Sequence, residues 1–198
     1  MPRLALGLFA LYLALAFGWR TWLQLRRTGS SGFVGLARGS ALQRLGGALL
    51  VISIALAALS PIAVLAGWEW APPLAPPRAL IGALAYALGL ALTLWAQLRM
   101  GASWRIGVNP AERTALVTGG PFGFARNPIY TGMLTVALGL ALLVPNAPAL
   151  VAAVALLAGL ELQVRLVEEP YLIAQHGEDY LGWARRVGRF LPALGRLR

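Results

Sequence analysis

Residues 129–162 read "IYTGMLTVALGLALLVPNAPALVAAVALLAGLEL", two apolar runs of about 16 residues joined by the Pro-Asn-Ala-Pro of residues 145–148. Apolar residues this dense, broken once by turn-forming residues, predict a tight helical hairpin. Each arm reaches only ~24 Å, so in a bilayer the hairpin must thin the lipid locally or lean on its neighbours. Moving outward, the chain has three further apolar stretches, at residues 4–25, 45–68 and 79–98. These approach or exceed the ~20 residues that cross a bilayer. The fold expected is an all-α integral membrane protein of five transmembrane helices, the last two a hairpin, followed by C-terminal helices on the cytoplasmic side.

Composition agrees and narrows the chemistry. Of 198 residues 59% are hydrophobic and only 12% charged, too apolar for an ordinary soluble domain. Without cysteine there are no disulfides, thiolate metal sites or cysteine nucleophiles. A single histidine, His176, is too few for the usual zinc constellations, and no metal is expected. All 17 basic residues are arginine, which removes lysine Schiff-base chemistry and the Walker-type phosphate loop. An enzyme built from this set must let substrate and cofactor bring most of the chemistry.

The net charge of +10 raises nucleic acid as a partner, but the placement of the arginines points to a membrane face instead. Arg20, near the end of the first stretch, and Arg26, Arg27, Arg38 and Arg44 after it lie between spans one and two. Arg99, Arg105, Arg113 and Arg126 separate the third from the fourth, and Arg165, Arg185, Arg186, Arg189, Arg196 and Arg198 follow the last. Only Arg3 and Arg78 fall on the other side. The positive-inside rule then puts the N-terminus outside and the C-terminus in the cytoplasm, in a cell inner membrane. Trp68 and Trp70, beside the "APPLAPP" of residues 71–77, fit an outer interfacial belt and a stiff loop. A cleaved signal peptide over residues 1–19 is the competing reading; it would leave the five-arginine loop outside, against the charge rule. Small residues four apart, such as Ala85 and Gly89, suit close helix packing.

Two polar segments remain, "GASWRIGVNPAERTALVTGGPFGFARNPIY" (101–130) and "ELQVRLVEEPYLIAQHGEDYLGWARRVGRFLP" (161–192). They flank the hairpin, so topology brings them together at its inner mouth. Glu161, Arg165 and Glu168 fall within about 60° of one another around an ideal helix, with Glu169 beside them. Ionisable groups at a span end are paired or functional. The plain reading is a Glu161–Arg165 tether; the Glu168–Glu169 doublet calls for cations. Pro170 suits the first turn of a fresh helix, which Gly177 would end. Residues 178–187 would form another helix, whose aromatic and arginine surface suits lipid headgroups.

In residues 119–132, "GGPFGFARNPIYTG", Gly119–Gly120–Pro121 makes a turn that lets backbone approach a ligand. Pro128 opens the helix, whose N-terminal amides and dipole could hold a carboxylate. The spacing is not the dinucleotide fingerprint and no strand precedes it.

Taken together, "LVTGGPFGFARNPIYTG" and "RLVEEPYLIAQHGEDYLGWARRVGRFLP" resemble the isoprenylcysteine carboxyl methyltransferase family and its relatives, the membrane phospholipid methyltransferases. The family pattern runs L-V-T-x-G-x-Y, R-H-P-x-Y, a hairpin, E-E-x-x-L, F-G-x-x-Y and V-x-x-x-x-P, and the match covers residues 99–192 in order. The resemblance implies an S-adenosyl-L-methionine-dependent methyltransferase with a cytoplasmic-side pocket and a lipophilic small-molecule acceptor. It implies that Leu116, Val117, Gly120, Phe122, Asn127, Pro128, Tyr130 and Glu168 hold the cofactor. Arg165 falls near the family's substrate-carboxylate arginine, and Glu169 joins it as a catalytic candidate. Residues 99–198 would form the methyltransferase core and residues 1–98 three preceding spans, within one domain overall.

Two positions depart from the pattern. Asn127 stands for the family's histidine and cannot titrate, and Phe122 stands for its tyrosine, keeping the aromatic wall without the phenol. A carboxylate acceptor needs no general base; an amine or hydroxyl would, with His176 in the right range. Membrane sterol-type reductases using NADPH resemble the same half, but clustered carboxylates repel a cofactor phosphate. A small transporter or scaffold would place ionisable residues at mid-bilayer, and spans two to four have none.

Overall fold

The structure, a computed structural model, describes residues 1–33, 40–73, 75–108 and 115–197. Arg38, Arg113 and Arg198 of the charge pattern lie outside the described residues. Five long helices run α1 (Pro2–Thr28), α2 (Ala41–Leu65), α3 (Pro76–Met100), α4 (Pro128–Leu143) and α5 (Ala147–His176), followed by a short α6 (Glu178–Ala184). Among the described residues the only strand-like pairings are two isolated bridges, Phe33 with Ile106 and Ala125 with Gly188. Among the described residues four helices are long and apolar enough to cross a membrane; α4, at 16 residues, is apolar but shorter. Leu80, Leu84 and Leu88 on α3 and Leu150, Val154 and Leu157 on α5 are exposed on its outer surface. A bilayer welcomes such side chains where water would not.

The helices are joined where side chains are smallest. A Cβ on Gly89 would stand 2.7 Å from the Gly132 carbonyl, and one on Gly139 would stand 2.6 Å from the Tyr86 amide. The α3–α4 contact therefore uses Gly82 and Gly89 against Gly139 and Gly132, seven residues apart, rather than the four-residue Ala85/Gly89 spacing expected. Seven residues are two turns, which return to the same face. Gly46 and Gly159 do the same between α2 and α5. Polar clasps finish the bundle. Asn146 accepts from the Ala149 amide (3.0 Å), capping α5, and exchanges hydrogen bonds of 2.9 Å with Ser60 on α2. The Tyr86 hydroxyl donates to the Leu8 carbonyl at 2.9 Å.

Two helices contain a wide π turn, at Ala14–Trp19 in α1 and Val164–Glu168 in α5. The second corrects an expectation: no new helix starts at Glu169–Pro170. Proline has no N–H for the carbonyl four residues back, and its ring crowds that carbonyl. Here that carbonyl belongs to Leu166, and the Gln43 side chain of α2 takes it at 2.8 Å. With the orphan acceptor satisfied, α5 continues through Pro170 to His176. Gln43 also completes the capping box with Ser40 at the start of α2, so one residue serves both helices. In α1, the Ala16 carbonyl inside the π turn accepts from Gln97 of α3 at 2.8 Å.

Candidate active site

The end of the bundle opposite the 145–146 turn carries both polar segments, and the structure folds them together. The amides of Arg126 and Asn127 donate to the carbonyls of Gly188 and Arg189, at 2.8 and 3.0 Å. The Asn127 side-chain amide also donates to the Arg189 carbonyl (3.2 Å), and the Thr131 hydroxyl donates to the Phe190 carbonyl (2.6 Å). The amides just ahead of α4 are thus bound by the chain's own tail.

A buried ion cluster locks this junction. Glu169 accepts from Arg126 at 2.6 Å and from Arg189 at 2.9 and 3.0 Å. The Arg126 guanidinium also donates to the carbonyls of Ala184, Val187 and Gly195. Hydrogen bonding to Glu169 raises the Arg189 pKa. Burial pushes the neighbouring Tyr180 phenol up to about 12, with the Glu169 charge adding to the rise.

Beside the cluster lies a cavity of about 230 Å³. It is lined by Trp104, Arg105, Leu116, Val117, Phe122, Asn127, Pro128, Tyr130, Glu168, Tyr171 and Trp183, and also by Tyr12, Phe17, Ile54, Met133 and Leu156. Those last five residues also line a second, apolar chamber of about 70 Å³ that runs on to Val144 and Ser60 at the far end of the bundle. Within the larger cavity the Tyr130 hydroxyl donates to the Glu168 carboxylate, with Gln163 donating at 3.4 Å. Gly120 shapes the wall from behind: its φ of +63° is a glycine conformation that opens the short 3-10 turn carrying Phe122.

The opposite wall is set by Arg20, which is fully buried. It donates to the Gly101 carbonyl at 2.5 Å, at the C-terminus of α3, and its guanidinium carbon lies 4.6 Å from the Trp104 ring centroid. Gln24 donates to Ala102 at 2.8 Å and the Ile106 amide donates to Gly32 at 2.8 Å, fixing the rest of this wall.

Of the residues expected at the site, Leu116, Val117, Phe122, Asn127, Pro128, Tyr130 and Glu168 line the cavity. Gly120, Arg165, Glu169 and His176 are not among its lining residues. Arg165 pairs with Glu161, its side chain 57% exposed, so the tether is what forms. The reason is the π turn. Five residues of wider helix rotate less per residue, which carries Glu168 away from the Glu161–Arg165 face and toward the cavity. Sequence reading missed Trp104, Arg105, Gln97, Tyr171 and Trp183. For the first two the signal was available, since they sit in the same polar loop. Two buried wall atoms, the Trp183 indole N–H and Gln97 Oε1, have no protein partner. Such atoms are costly unless a ligand meets them. Among the described residues no cluster suited to a metal is present.

The phospholipid methyltransferase family model matches residues 77–179, more than half of the chain. The chain belongs to the phospholipid methyltransferase family. Comparison with curated proteins gave no match. Among solved structures, that of a eukaryotic intramembrane Ras methyltransferase, isoprenylcysteine carboxyl methyltransferase, is similar over 100% of this chain and 70% of its own, with a TM-score of 0.60 at 18% identity. The phospholipid methyltransferase assignment and the shared fold, with the apolar helices, make this an integral membrane protein of a methyltransferase family.

Proposed function

We propose that the protein is an S-adenosyl-L-methionine-dependent methyltransferase of the membrane, acting on a small lipophilic acceptor. The observation that carries this reading is the cavity itself: an aromatic-walled compartment with one carboxylate, Glu168, that shares lining residues with an apolar chamber between helices. A cationic nucleoside and a hydrocarbon tail need those two environments side by side. The residues fit the cofactor. Leu116, Val117, Phe122 and Trp183 offer flat apolar walls with an unpartnered N–H, and Glu168 offers negative charge to a cation. When bound, S-adenosylmethionine supplies an electrophilic methyl group on a sulfonium.

The chain's own part is positioning and charge placement. Tyr130 and Gln163 orient Glu168 by hydrogen bonds, so that its remaining lone pairs face a cation. The apolar residues shared by both compartments exclude water from the transfer path and align the acceptor's head toward Glu168. Phe122 and Asn127 complete the wall without a titrating group. The reading includes a fifth crossing by α4, the N-terminus outside, the site at the cytoplasmic face, and residues 99–198 as the core within one domain. Arg165 and Glu169, the catalytic candidates of the sequence, take supporting places in it, as surface tether and as lock of the tail.

Titrating the purified protein in detergent with S-adenosylhomocysteine tests the cofactor, with binding expected below millimolar ligand; none at that concentration would refute it. Membranes incubated with methyl-labelled S-adenosylmethionine should then yield a labelled, lipid-soluble product whose identity names the acceptor.

A further inference from the structure

We infer that Gln97 selects the head of the methyl acceptor: its side-chain oxygen takes a hydrogen bond from an O–H or N–H of the lipophilic molecule bound beside the cofactor. The inference deepens the reading above and rests on it for the presence of an acceptor. Gln97 lies on α3, lines the cavity and is only 2% exposed. Its amide nitrogen donates to the Ala16 carbonyl of α1 at 2.8 Å. A carbonyl has no hydrogen to give, so the end of the amide that meets it must be the NH₂. The other end is therefore an oxygen, and it can only accept. Among the described residues that oxygen has no partner. A buried acceptor left unmet carries a cost that a bound donor removes.

Neighbouring hydroxyls are already committed. Tyr12, four residues before Ala16 on α1, pairs at 3.2 Å with Thr93, four residues before Gln97 on α3. The Thr93 hydroxyl donates to the Gly89 carbonyl at 2.9 Å, so the proton between the pair comes from Tyr12. Tyr130 gives its proton to Glu168. The two α1–α3 contacts form successive rungs, with Gln97–Ala16 one turn nearer the end where the polar segments gather. Tyr12 and Phe17, on either side of Ala16, line both the cavity and the apolar chamber. Gln97 thus stands beside residues that the two compartments share, on a different helix from Glu168. A tail in the apolar chamber brings its head to this rung. An anionic head would set its own lone pairs against the Gln97 oxygen, whereas an alcohol or amine supplies the hydrogen that this oxygen lacks.

The test uses three probes with one tail on the full-length protein in detergent: 1-dodecanol, dodecyl methyl ether and dodecanoate, at pH 9 so that the carboxylate is ionised. Each competes against tritiated 1-dodecanol, and S-adenosylhomocysteine is titrated separately. Wild type should bind the alcohol about tenfold more tightly than the ether or the carboxylate, as expected for a buried hydrogen bond made or missed. Gln97→Met, close to glutamine in length but without the oxygen, should bring alcohol and ether within about twofold of each other. Its S-adenosylhomocysteine affinity should also stay within about twofold of wild type, a result that general damage to the bundle would not give. The wild-type comparison decides by itself should the variant fail to fold. Equal binding of alcohol and ether to wild type, carboxylate binding as tight as the alcohol, or an alcohol preference that survives in Gln97→Met would overturn the assignment. So would a wild type that binds S-adenosylhomocysteine and none of the three probes. An alcohol preference without S-adenosylhomocysteine binding would remove the cofactor reading and leave the head contact standing.

Discussion

Glu168 and Glu169 are chain neighbours with opposite duties, and replacing each by glutamine should separate them. Glu169→Gln exchanges one carboxylate oxygen for an NH₂ group that must face guanidinium donors at 2.6–3.0 Å. It also leaves Arg126 and Arg189, with side chains 1% and 9% exposed, without their shared anion. Removing one partner of a buried pair costs about 3–5 kcal/mol, because the surviving charge stays desolvated. The Arg126 carbonyl partners and the distant Glu161 contact of Arg189, at 3.8 Å, offset only part of this. Glu168→Gln keeps an oxygen for the Tyr130 hydroxyl, so its stability cost should be about 1 kcal/mol or less. The assay is reversible unfolding in mixed micelles, read with S-adenosylhomocysteine titration of the folded fraction. Adding Arg189→Met to Glu169→Gln should recover part of the loss, since the unpaired charge goes with it. A Glu169→Gln protein within about 1 kcal/mol of wild type would refute the lock.

In ligand titration Glu168→Gln should weaken S-adenosylhomocysteine binding about tenfold or more with the fold intact, because a charge-assisted contact with the ligand's α-ammonium becomes a neutral one. Gly89→Ala should break the α3–α4 seam and abolish folding, as the new methyl meets backbone at 2.7 Å, whereas Gly7→Ala, with nothing within 4 Å, should leave melting unchanged. Ala153→Leu should fill the outer chamber and depress methylation of long-tailed acceptors more than short-tailed ones, measured as relative kcat/KM across a tail-length series. Because the chain has no cysteine, Ala66→Cys and Arg186→Cys give clean labelling sites; an impermeant thiol reagent on intact cells should reach the first and not the second.

How far the sequence was readable follows from what each feature depends on. Apolar run length belongs to one segment, so the helices and the turn at residues 145–146 could be placed before any contact was known. The union of loop and tail was equally legible, because a hairpin returns its flanks to the same end whatever their side chains do. The α3–α4 seam was not: Ala85/Gly89 and Gly82/Gly89 are both plausible in a chain this rich in small residues, and only the partner's Gly132 and Gly139 choose between them. Nor could sequence rank Arg165, Arg105 and Arg126 as cavity cations, since burial and pairing of an arginine depend on chain far away in sequence. Arg126 meets Glu169 43 residues on, and Arg105 meets Tyr171 66 residues on.

The π turn in α5 shows why this ignorance fell on the active site. A regular helix would have kept Glu161, Arg165 and Glu168 on one face and ended or kinked at Pro170. What decides otherwise is Gln43, 123 residues before the carbonyl it satisfies. The amide of one helix stabilises a widened turn in another, and the widened turn points a carboxylate into the cavity. The same device recurs where Gln97 holds the α1 π turn through Ala16 and leaves its own Oε1 unpartnered at the cavity wall. In both cases a helix irregularity is held by a side-chain amide from a neighbouring span, Gln43 of span two and Gln97 of span three. Gln43→Leu should therefore act on ligand binding through Glu168, though Gln43 itself is not among the residues that line the cavity. Loss of S-adenosylhomocysteine affinity in that variant is the expected result. Equal binding to wild type would mean that Pro170 alone sets the turn.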